Sequence, residues 1–248
     1  MQSLAIIPAR YQSSRLPGKP LADINGKPMV QHVYERVCQV FSEVVVATDD
    51  ELIAQAVESF EGRVALTRSD HPTGTNRCLE VLEQWQKAGK NPSLVINIQG
   101  DEPMLEPENL RILAQVFEEY PDTEMASLVQ SVSDASVLED QNSCFVTLDK
   151  DWYALYFSRA ALPVVHGIAR KEWLDYVPYY KHLGLYAYRP EALQKFAHLP
   201  ESTLEKAERL EQNRWLENGG KIKLALAKPT GPSVDTPEDL SMVRRLMA

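Results

Sequence analysis

The chain has 248 residues, of which 44% are hydrophobic and 25% are charged, and its formal net charge is −9. These fractions are typical of a globular protein, and the length suits one large α/β domain or two small ones. The negative charge argues against an extended nucleic-acid-binding surface, but it allows a local basic pocket for a small anion.

The sequence gives no sign of a membrane or export segment. No apolar run reaches the length of a transmembrane helix, and the start, MQSLAIIPAR, lacks the basic region and cleavage site of a signal peptide. The three cysteines, Cys38, Cys78 and Cys144, are odd in number and show no CxxC spacing, which favours free thiols in a reducing compartment. We therefore expect a cytoplasmic protein with no membrane or nucleic-acid partner.

Short apolar segments alternate with helical periodicity through the first half of the chain. Residues 4–7, 43–48, 64–67 and 94–98 are predicted strands. Apolar stripes between them predict helices around residues 30–40, 52–60, 79–86 and 109–117. Strands that are apolar on both faces and alternate with helices indicate an α/β fold, with a mostly parallel central sheet covered by helices on both faces.

The second half has a different pattern. Predicted strands at 125–130, 144–148 and 183–188 are separated by longer irregular segments. We expect one continuous domain over residues 1–248, with a smaller elaboration at about 130–200 that pairs antiparallel or extends to a partner subunit. Three further features follow: a helix over 202–218, a capping box of Ser202 and Glu205 at its start, and a late strand over 221–227.

A basic loop, IPARYQSSRLPGKPL, follows the first strand at the junction where ligands bind in open α/β sheets. Arg10, Arg15 and Lys19 lie within ten residues, and such a loop can surround a polyphosphate. A Walker A motif is excluded because residue 13 is Ser, and a dinucleotide fingerprint because Gly18 is the loop's single glycine. The alternative is a solvated basic turn.

Two acidic residues are candidate ligands for a metal. Asp101 follows the 94–98 strand in IQGDEP, which places it on the same sheet edge as the basic loop. Asp235 lies in SVDTPEDL. Mg²⁺ commonly uses one or two carboxylates together with substrate oxygens and water. The alternatives are a turn-forming role for Asp101 and a helix start at Pro237 for the second segment.

These motifs and several others occur in order along nearly the whole chain. They are PARYQSSRLPGKPLADINGKPM, VATDD, HPTGTNR, NIQGDEP, YALYFSRAALP, YKHLGLYAYR, LEQNRWLENG and VDTPEDL. Their combination resembles the 3-deoxy-manno-octulosonate (Kdo) cytidylyltransferases. The resemblance implies a Rossmann-like nucleotidyltransferase fold, a homodimer, and a requirement for CTP and Mg²⁺. The implied product is CMP-Kdo, which is used in lipopolysaccharide biosynthesis.

The resemblance also implies roles for individual residues. Lys19, Asp101 and Asp235 are the expected catalytic residues, and the two aspartates are the expected metal ligands. The expected nucleotide contacts are Pro8, Ala9, Arg10, Ser14, Arg15, Lys19, Thr73, Gly74, Thr75, Arg77 and Gln99. The expected sugar-binding residues are Gln99, Arg159, His182, Glu211 and Gln212.

Two physical arguments concern the sugar side. Glu211 and Arg214 continue a stripe that begins with apolar Leu204 and Ala207, so that the carboxylate either meets a ligand or pairs internally with the arginine. We expect His182 to bind sugar hydroxyls and not to act as a general base.

The sequence departs from the family pattern in three places. Asn76 stands where the family usually has an acid, Phe145 where it has Lys, and Asn213 where it has Leu. The departures leave the phosphate and metal motifs intact. They keep open a related acceptor, such as 8-amino-Kdo or a sialate-like acid, and an inactive nucleotide-binding regulator.

Overall fold

The strands of the central sheet are arranged around β1. The computed structural model describes residues 2–12, 15–140 and 142–248, and within these residues nine strands form one sheet, of which seven follow the order β11-β7-β10-β6-β1-β4-β5. The strands are β1 (Ser3–Ala9), β4 (Val44–Thr48), β5 (Val64–Leu66), β6 (Leu94–Asn97), β7 (Met125–Ser131), β8 (Phe145–Leu148), β9 (Ala154–Ser158), β10 (Tyr180–Tyr188) and β11 (Lys223–Leu226), with a separate hairpin of β2 (Asp23–Ile24) and β3 (Lys27–Pro28).

Helices cover both faces of this sheet. The helices are α1 (Met29–Cys38), α2 (Glu51–Ser59), α3 (Gly74–Lys87), α4 (Pro107–Glu119), α5 (Pro190–His198), α6 (Thr203–Glu208), α7 (Gln212–Glu217) and α8 (Pro237–Leu246), and three short 3₁₀ segments are Lys19–Leu21, Ala135–Glu139 and Arg170–Asp175.

The parallel half of the sheet confirms the predicted α/β fold. β1 pairs parallel with β4 and β6, and β4 pairs parallel with β5. Every residue of β4 is buried, as expected for a strand between two helical layers. One apolar cluster joins the sheet to α1, α2 and α4, and a second joins the opposite face to α3, α5 and α7. Among the described residues, none of the helices is long and apolar enough to span a bilayer.

β10 interrupts the parallel order because it pairs antiparallel with both β6 and β7. The first half of β10 therefore lies at the edge where β1, β4 and β6 end. β8 and β9 form a hairpin that is joined to the sheet through β10. The 130–200 region thus contains the antiparallel pairing that its irregular pattern suggested.

The segment 202–218 was expected to be one helix, and this prediction is wrong. The capping box of Ser202 and Glu205 begins α6 as expected. Arg209 then adopts a left-handed conformation with φ of 53°, which ends α6 before α7 begins. The segment DTPED (residues 235–239) does begin a helix, because Thr236 and Asp239 form a capping box at the start of α8.

Asn213, one of the three departures, has a structural role. It is fully buried, and its side chain bonds both backbone groups of Phe157: its Oδ1 accepts from the amide at 3.3 Å and its Nδ2 donates to the carbonyl at 2.9 Å. β9, which contains Phe157, pairs with β8 along its other edge. The amide of Asn213 therefore takes the place of a neighbouring strand.

We predict that Asn213→Leu destabilises the protein. The substitution leaves a buried amide and a buried carbonyl of Phe157 without partners, which costs about 1–3 kcal/mol per group. Chemical denaturation measures the change in the free energy of unfolding. Asn91→Leu on the exposed surface is the control and is expected to change it by less than about 0.5 kcal/mol. An Asn213→Leu variant as stable as the wild type would contradict this role.

Candidate active site

Three chain segments meet around Pro8 at the edge where the parallel strands end. A Cβ atom on Gly100, in the loop after β6, would lie 3.0 Å from the Pro8 carbonyl oxygen. A Cβ atom on Gly74, the first residue of α3, would lie 3.6 Å from the Pro8 ring. The end of β1, the loop after β6 and the amino terminus of α3 therefore surround one space. Switch points of this kind are the usual ligand sites of open α/β sheets.

Lys19 joins the two candidate metal ligands. Its Nζ lies 2.7 Å from Asp101 Oδ2 and 3.1 Å from Asp235 Oδ1. Arg15 reaches the same oxygen of Asp235 at 3.1 Å, and the Val234 amide donates to the Asp101 carbonyl at 2.9 Å. The structure thus brings together both aspartates and two of the three predicted phosphate-binding cations.

The charges at this point keep Lys19 protonated. Burial by itself lowers the pKa of Lys19, but the charge and hydrogen bond of Asp101, followed by those of Asp235, outweigh it and raise the pKa above its ordinary value. The ammonium group is therefore a fixed positive charge at neutral pH. It can stabilise negative charge on a phosphate but cannot accept a proton.

The donor set suits a metal that is shared with a substrate. In the described part of the chain, no group of three or more His, Cys, Asp or Glu residues could hold a metal by itself. Asp101 and Asp235 supply two carboxylates, and both are partly exposed. Mg²⁺ typically takes one or two carboxylates and completes its shell with phosphate oxygens and water. The pair therefore fits Mg²⁺ bound together with a nucleotide.

The nucleotide-side loop is fastened to α3. Thr73 caps the helix by accepting from the Asn76 amide at 3.3 Å, so that Gly74 and Thr75 form its first turn. Arg10 donates to the His71 carbonyl at 2.5 Å, which links the basic loop to this segment. The free amides of a helix amino terminus favour a bound anion. The arrangement is compatible with nucleotide binding by the predicted contacts of this paragraph, which are Arg10, Thr73, Gly74 and Thr75. Their roles stay predictions.

Arg77 is placed differently from the other predicted nucleotide contacts. Its side chain is fully buried, lies 2.9 Å from Asp49 and donates to the Thr67 hydroxyl. Burial lowers the pKa of Arg77, while the charge of Asp49 acts against this effect. The guanidinium group therefore ties together the segments that follow β4 and β5. Its predicted contact with the nucleotide stays untested.

Glu80 is a second link between this loop and α3, and the sequence did not reveal it. Glu80, on α3, accepts from the Arg68 amide at 3.0 Å and bonds the imidazole of His71. It thereby holds the segment that contains His71, whose carbonyl binds Arg10. The three-residue spacing of Arg77 and Glu80 puts both on one side of α3, but this spacing alone did not identify their partners.

Gln99, an expected contact of both nucleotide and sugar, lies where β6 and β10 approach each other. Gln99 donates to the Gly184 carbonyl at 3.2 Å, and a Cβ atom on Gly184 would lie only 3.2 Å from the Gln99 side chain. Any larger residue at this position would have to displace Gln99. A bulge between Leu183 and Tyr186 in the pairing with β7 allows this close approach.

His182 is buried and neutral. Burial, followed by the charge of Arg159, lowers the pKa of His182 to about 3. The Ser127 hydroxyl donates its proton to the Leu185 carbonyl at 2.7 Å, so that its oxygen accepts from His182 Nε2 at 2.8 Å. This assignment leaves Nδ1 unprotonated and able to accept from a hydroxyl. The state suits the expected binding of sugar hydroxyls.

The remaining residues that are expected to bind the sugar lie around α7. Arg159 donates to the Asn142 carbonyl at 2.7 Å, and Gln212 donates to Cys144 Sγ at 3.5 Å. Burial raises the pKa of the Cys144 thiol to about 12, and the charge of Arg159 opposes this shift. Glu211 pairs with Arg214, which was one of the two alternatives, and also accepts from the hydroxyl of Thr75.

Glu208 is a partner of Arg159 that the sequence did not reveal. It accepts from the Tyr156 hydroxyl at 3.1 Å, the Ser158 hydroxyl at 3.0 Å and the Arg159 amide at 2.8 Å. It therefore fixes the backbone beside Arg159.

Ser14, a predicted nucleotide contact, lies outside the described residues.

The other two departures have clear environments. Asn76 donates to the Ala197 carbonyl at 3.1 Å, which an aspartate could not do. Phe145 is buried with Trp173 and Tyr179 in an apolar cluster of the 130–200 region. Its ring packs in a core, so this position offers no cation to a ligand.

Comparisons with known proteins agree with this geometry. The profile of the cytidylyltransferase family matches residues 4–222. The chain belongs to the cytidylyltransferase family. A 3-deoxy-manno-octulosonate cytidylyltransferase of Bacteroides thetaiotaomicron is 47% identical, with 97% of this chain and 96% of the relative covered. An 8-amino-3,8-dideoxy-manno-octulosonate cytidylyltransferase of Shewanella amazonensis is 45% identical, with 97% and 96% covered.

A solved structure supports the same assignment for this cytidylyltransferase. A CMP:2-keto-3-deoxy-manno-octonic acid synthetase complexed with CTP superposes with a TM-score of 0.91 at 43% identity and covers 100% of this chain and 98% of its own. The predicted Rossmann-like nucleotidyltransferase fold is thereby confirmed.

We predict that His182 stays unprotonated in the folded cytidylyltransferase down to about pH 4. Its folded pKa, near 3, lies below the ordinary value of 6.5, so the unfolded chain binds more protons between these values. The contribution of His182 to the free energy of unfolding is therefore fully present above pH 6.5, and it is lost as the pH falls from 6.5 to about 3. NMR titration of the imidazole signals, assigned with a His182→Gln variant, tests the prediction. A midpoint above pH 5 would contradict it.

Proposed function

We propose that this cytidylyltransferase transfers CMP from CTP to the anomeric hydroxyl of Kdo and releases pyrophosphate, in the service of lipopolysaccharide biosynthesis. The observation that carries the proposal is the convergence of Asp101 and Asp235 on Lys19 beside the Arg10 loop. The 47% identical Kdo cytidylyltransferase of Bacteroides thetaiotaomicron supports the choice of nucleotide and acceptor.

The reaction is an in-line displacement at the α-phosphorus. The anomeric oxygen of the acceptor forms a bond to this phosphorus as the bond to the β-phosphate oxygen breaks, and the hydroxyl proton passes to solvent. In this proposal Lys19 and Arg15, which contact the two aspartates, stabilise charge on the departing pyrophosphate. Arg10 is oriented for the same task by the His71 carbonyl. The displacement requires no side-chain nucleophile.

Asp101 and Asp235 would hold Mg²⁺. The ion supplies charge neutralisation and lowers the pKa of the attacking hydroxyl when it is bound. In this proposal the protein's task is to keep both carboxylates at the sheet edge, which the Val234 amide and Lys19 support.

The acceptor acid is proposed to bind between β10 and α7. Arg159 can donate two hydrogen bonds to a carboxylate. His182 Nδ1 and the amides of Gln99 and Gln212 can bind hydroxyls. A carboxylate oxygen of Glu211 can accept a further hydrogen bond from a hydroxyl of the sugar.

An 8-amino analogue of Kdo is the second candidate acceptor. The 45% identity to the Shewanella amazonensis enzyme is close to the value for the Kdo enzymes, so overall similarity does not separate the two. The inactive-regulator alternative has less support, because the carboxylate pair and its cations are intact.

A homodimer is also part of the proposal. Leu155, Val164 and Tyr176 are each about 60% exposed and lie in the 130–200 elaboration. These three side chains are the positions at which we test for a subunit contact. Sedimentation equilibrium of the wild type and of a Leu155→Asp variant tests the state. A cytoplasmic location stays an expectation from the sequence.

We predict that pyrophosphate release with CTP requires both Kdo and Mg²⁺. The assay compares Kdo, 8-amino-Kdo and a sialic acid as acceptors, each with Mg²⁺ and with EDTA. Kdo is expected to give the highest kcat/KM. Chelation is expected to abolish turnover, because without a divalent cation the two carboxylates repel the triphosphate and the developing charge is not neutralised. Higher kcat/KM with 8-amino-Kdo would favour the second candidate. CTP binding with no turnover on any acceptor would favour the regulator.

We predict that Asp101→Asn lowers kcat about 100-fold or more, because loss of one carboxylate removes several kcal/mol of charge stabilisation from the transition state. CTP binding, measured by calorimetry, is expected to weaken far less. Asp151→Asn, in the exposed turn between β8 and β9, is the matched control. Near-normal turnover of the Asp101→Asn variant would refute the metal assignment.

A further inference from the structure

One hydrogen bond joins the nucleotide side of the site to its acceptor side. The Thr75 hydroxyl, in the first turn of α3, donates to Glu211 Oε2 at 2.8 Å. Thr75 is buried, and Glu211 lies directly before α7. The two side chains therefore connect a helix that faces the nucleotide to a helix that faces the acceptor.

The other oxygen of Glu211 is held by a buried ion pair. Arg214 Nη2 lies 3.1 Å from Glu211 Oε1. The same guanidinium group donates to Glu205 from Nε at 2.8 Å and from Nη2 at 2.7 Å, and from Nη1 to the Leu199 carbonyl at 3.1 Å. Glu205 and Arg214 are both less than 10% exposed. The two-point contact leaves the guanidinium plane little freedom to rotate.

The charges explain why Glu211 needs this support. Burial raises the pKa of Glu211 and the charge of Glu205 adds to this shift, while the hydroxyls of Thr75 and Thr73 and the charge of Arg214 act against it. The hydrogen bond from Thr75 and the contact with Arg214 therefore orient this carboxylate and favour its ionised form. Arg214 can serve Glu211 only in the orientation that Glu205 gives it.

We propose that Glu205 and Arg214 are positioning residues that hold Glu211 against Thr75 and thereby couple acceptor binding to the nucleotide-side helix. Neither residue needs to contact a substrate. The inference rests on the proposed function, since it assumes that the acceptor binds beside Glu211. It goes further because it makes Thr75, on the nucleotide side, a determinant of acceptor affinity.

A purely structural role for the ion pair predicts a different result. A structural pair lowers the melting temperature when it is broken, but it leaves both KM values of the folded enzyme unchanged. A positioning role changes the KM for the acceptor selectively. All assays are therefore run well below the melting temperature of each variant.

The first experiment measures steady-state kinetics of Glu205→Gln with CTP and Kdo. The KM for Kdo is expected to rise about tenfold, as for the loss of one charge-assisted hydrogen bond, while the KM for CTP changes less than twofold. The matched control is Glu108→Gln, which breaks an exposed ion pair with Arg111 on α4 and is expected to leave both constants unchanged.

The second experiment keeps the inference testable if Glu205→Gln fails to fold. Thr75→Val removes the hydroxyl at nearly constant volume and is expected to raise the KM for Kdo, and Thr75→Ser is expected to restore it. The double variant Glu205→Gln/Thr75→Val is expected to match the more severe single variant, because both act through Glu211.

Three results separate the possible failures. No turnover by the wild type with CTP and any sugar acid would refute the proposed function itself. An active wild type with variants whose KM for Kdo stays within twofold would refute the positioning role alone. A Thr75→Val variant that raises only the KM for CTP would also refute the coupling.

Discussion

The site depends on one ammonium group placed between two carboxylates. Asp101 and Asp235 would repel each other at this separation, and Lys19 offsets that repulsion from a position where water is partly excluded. The hydrogen bond from Val234 to Asp101 and the capping box at Thr236 hold the late segment in place. The chain's last helix is thereby attached to the loop after β6, which holds the two carboxylates of the proposed metal site at one point.

The proposed reaction requires nucleotide and acceptor to meet at the same edge of the sheet. Parallel strands β1, β4 and β6 all end at that edge, and the basic loop and the loop with Asp101 follow two of them. β10 runs in the opposite direction, so its first half brings His182 and Gly184 to the same place. A parallel strand here would have presented its final residues to this edge and placed those two at the far end.

Sequence patterns predicted the parts of the fold that follow from local periodicity. The fully buried β4 and the amphipathic α1 and α3 were visible, as were the basic loop and the two aspartates. The break at Arg209 was not visible, because a left-handed arginine has no signal comparable to that of glycine. The partners of Arg77 and Glu208 were hidden for another reason: they lie on strands and turns distant in sequence, and only the tertiary fold brings them together.

The bulge in β10 has an evolutionary consequence. Leu183, Leu185 and Ala187 of this strand pack in the core cluster with α1, α2 and α4, and Tyr180, Tyr186 and Tyr188 pack in the cluster on the opposite face. Adding or removing one residue would turn every later side chain to the opposite face of the sheet. Such a change would expose the core as it altered the pocket. If the proposed acceptor pocket lies here, exchanges of individual side chains at constant strand length are the changes that alter it and leave the core intact.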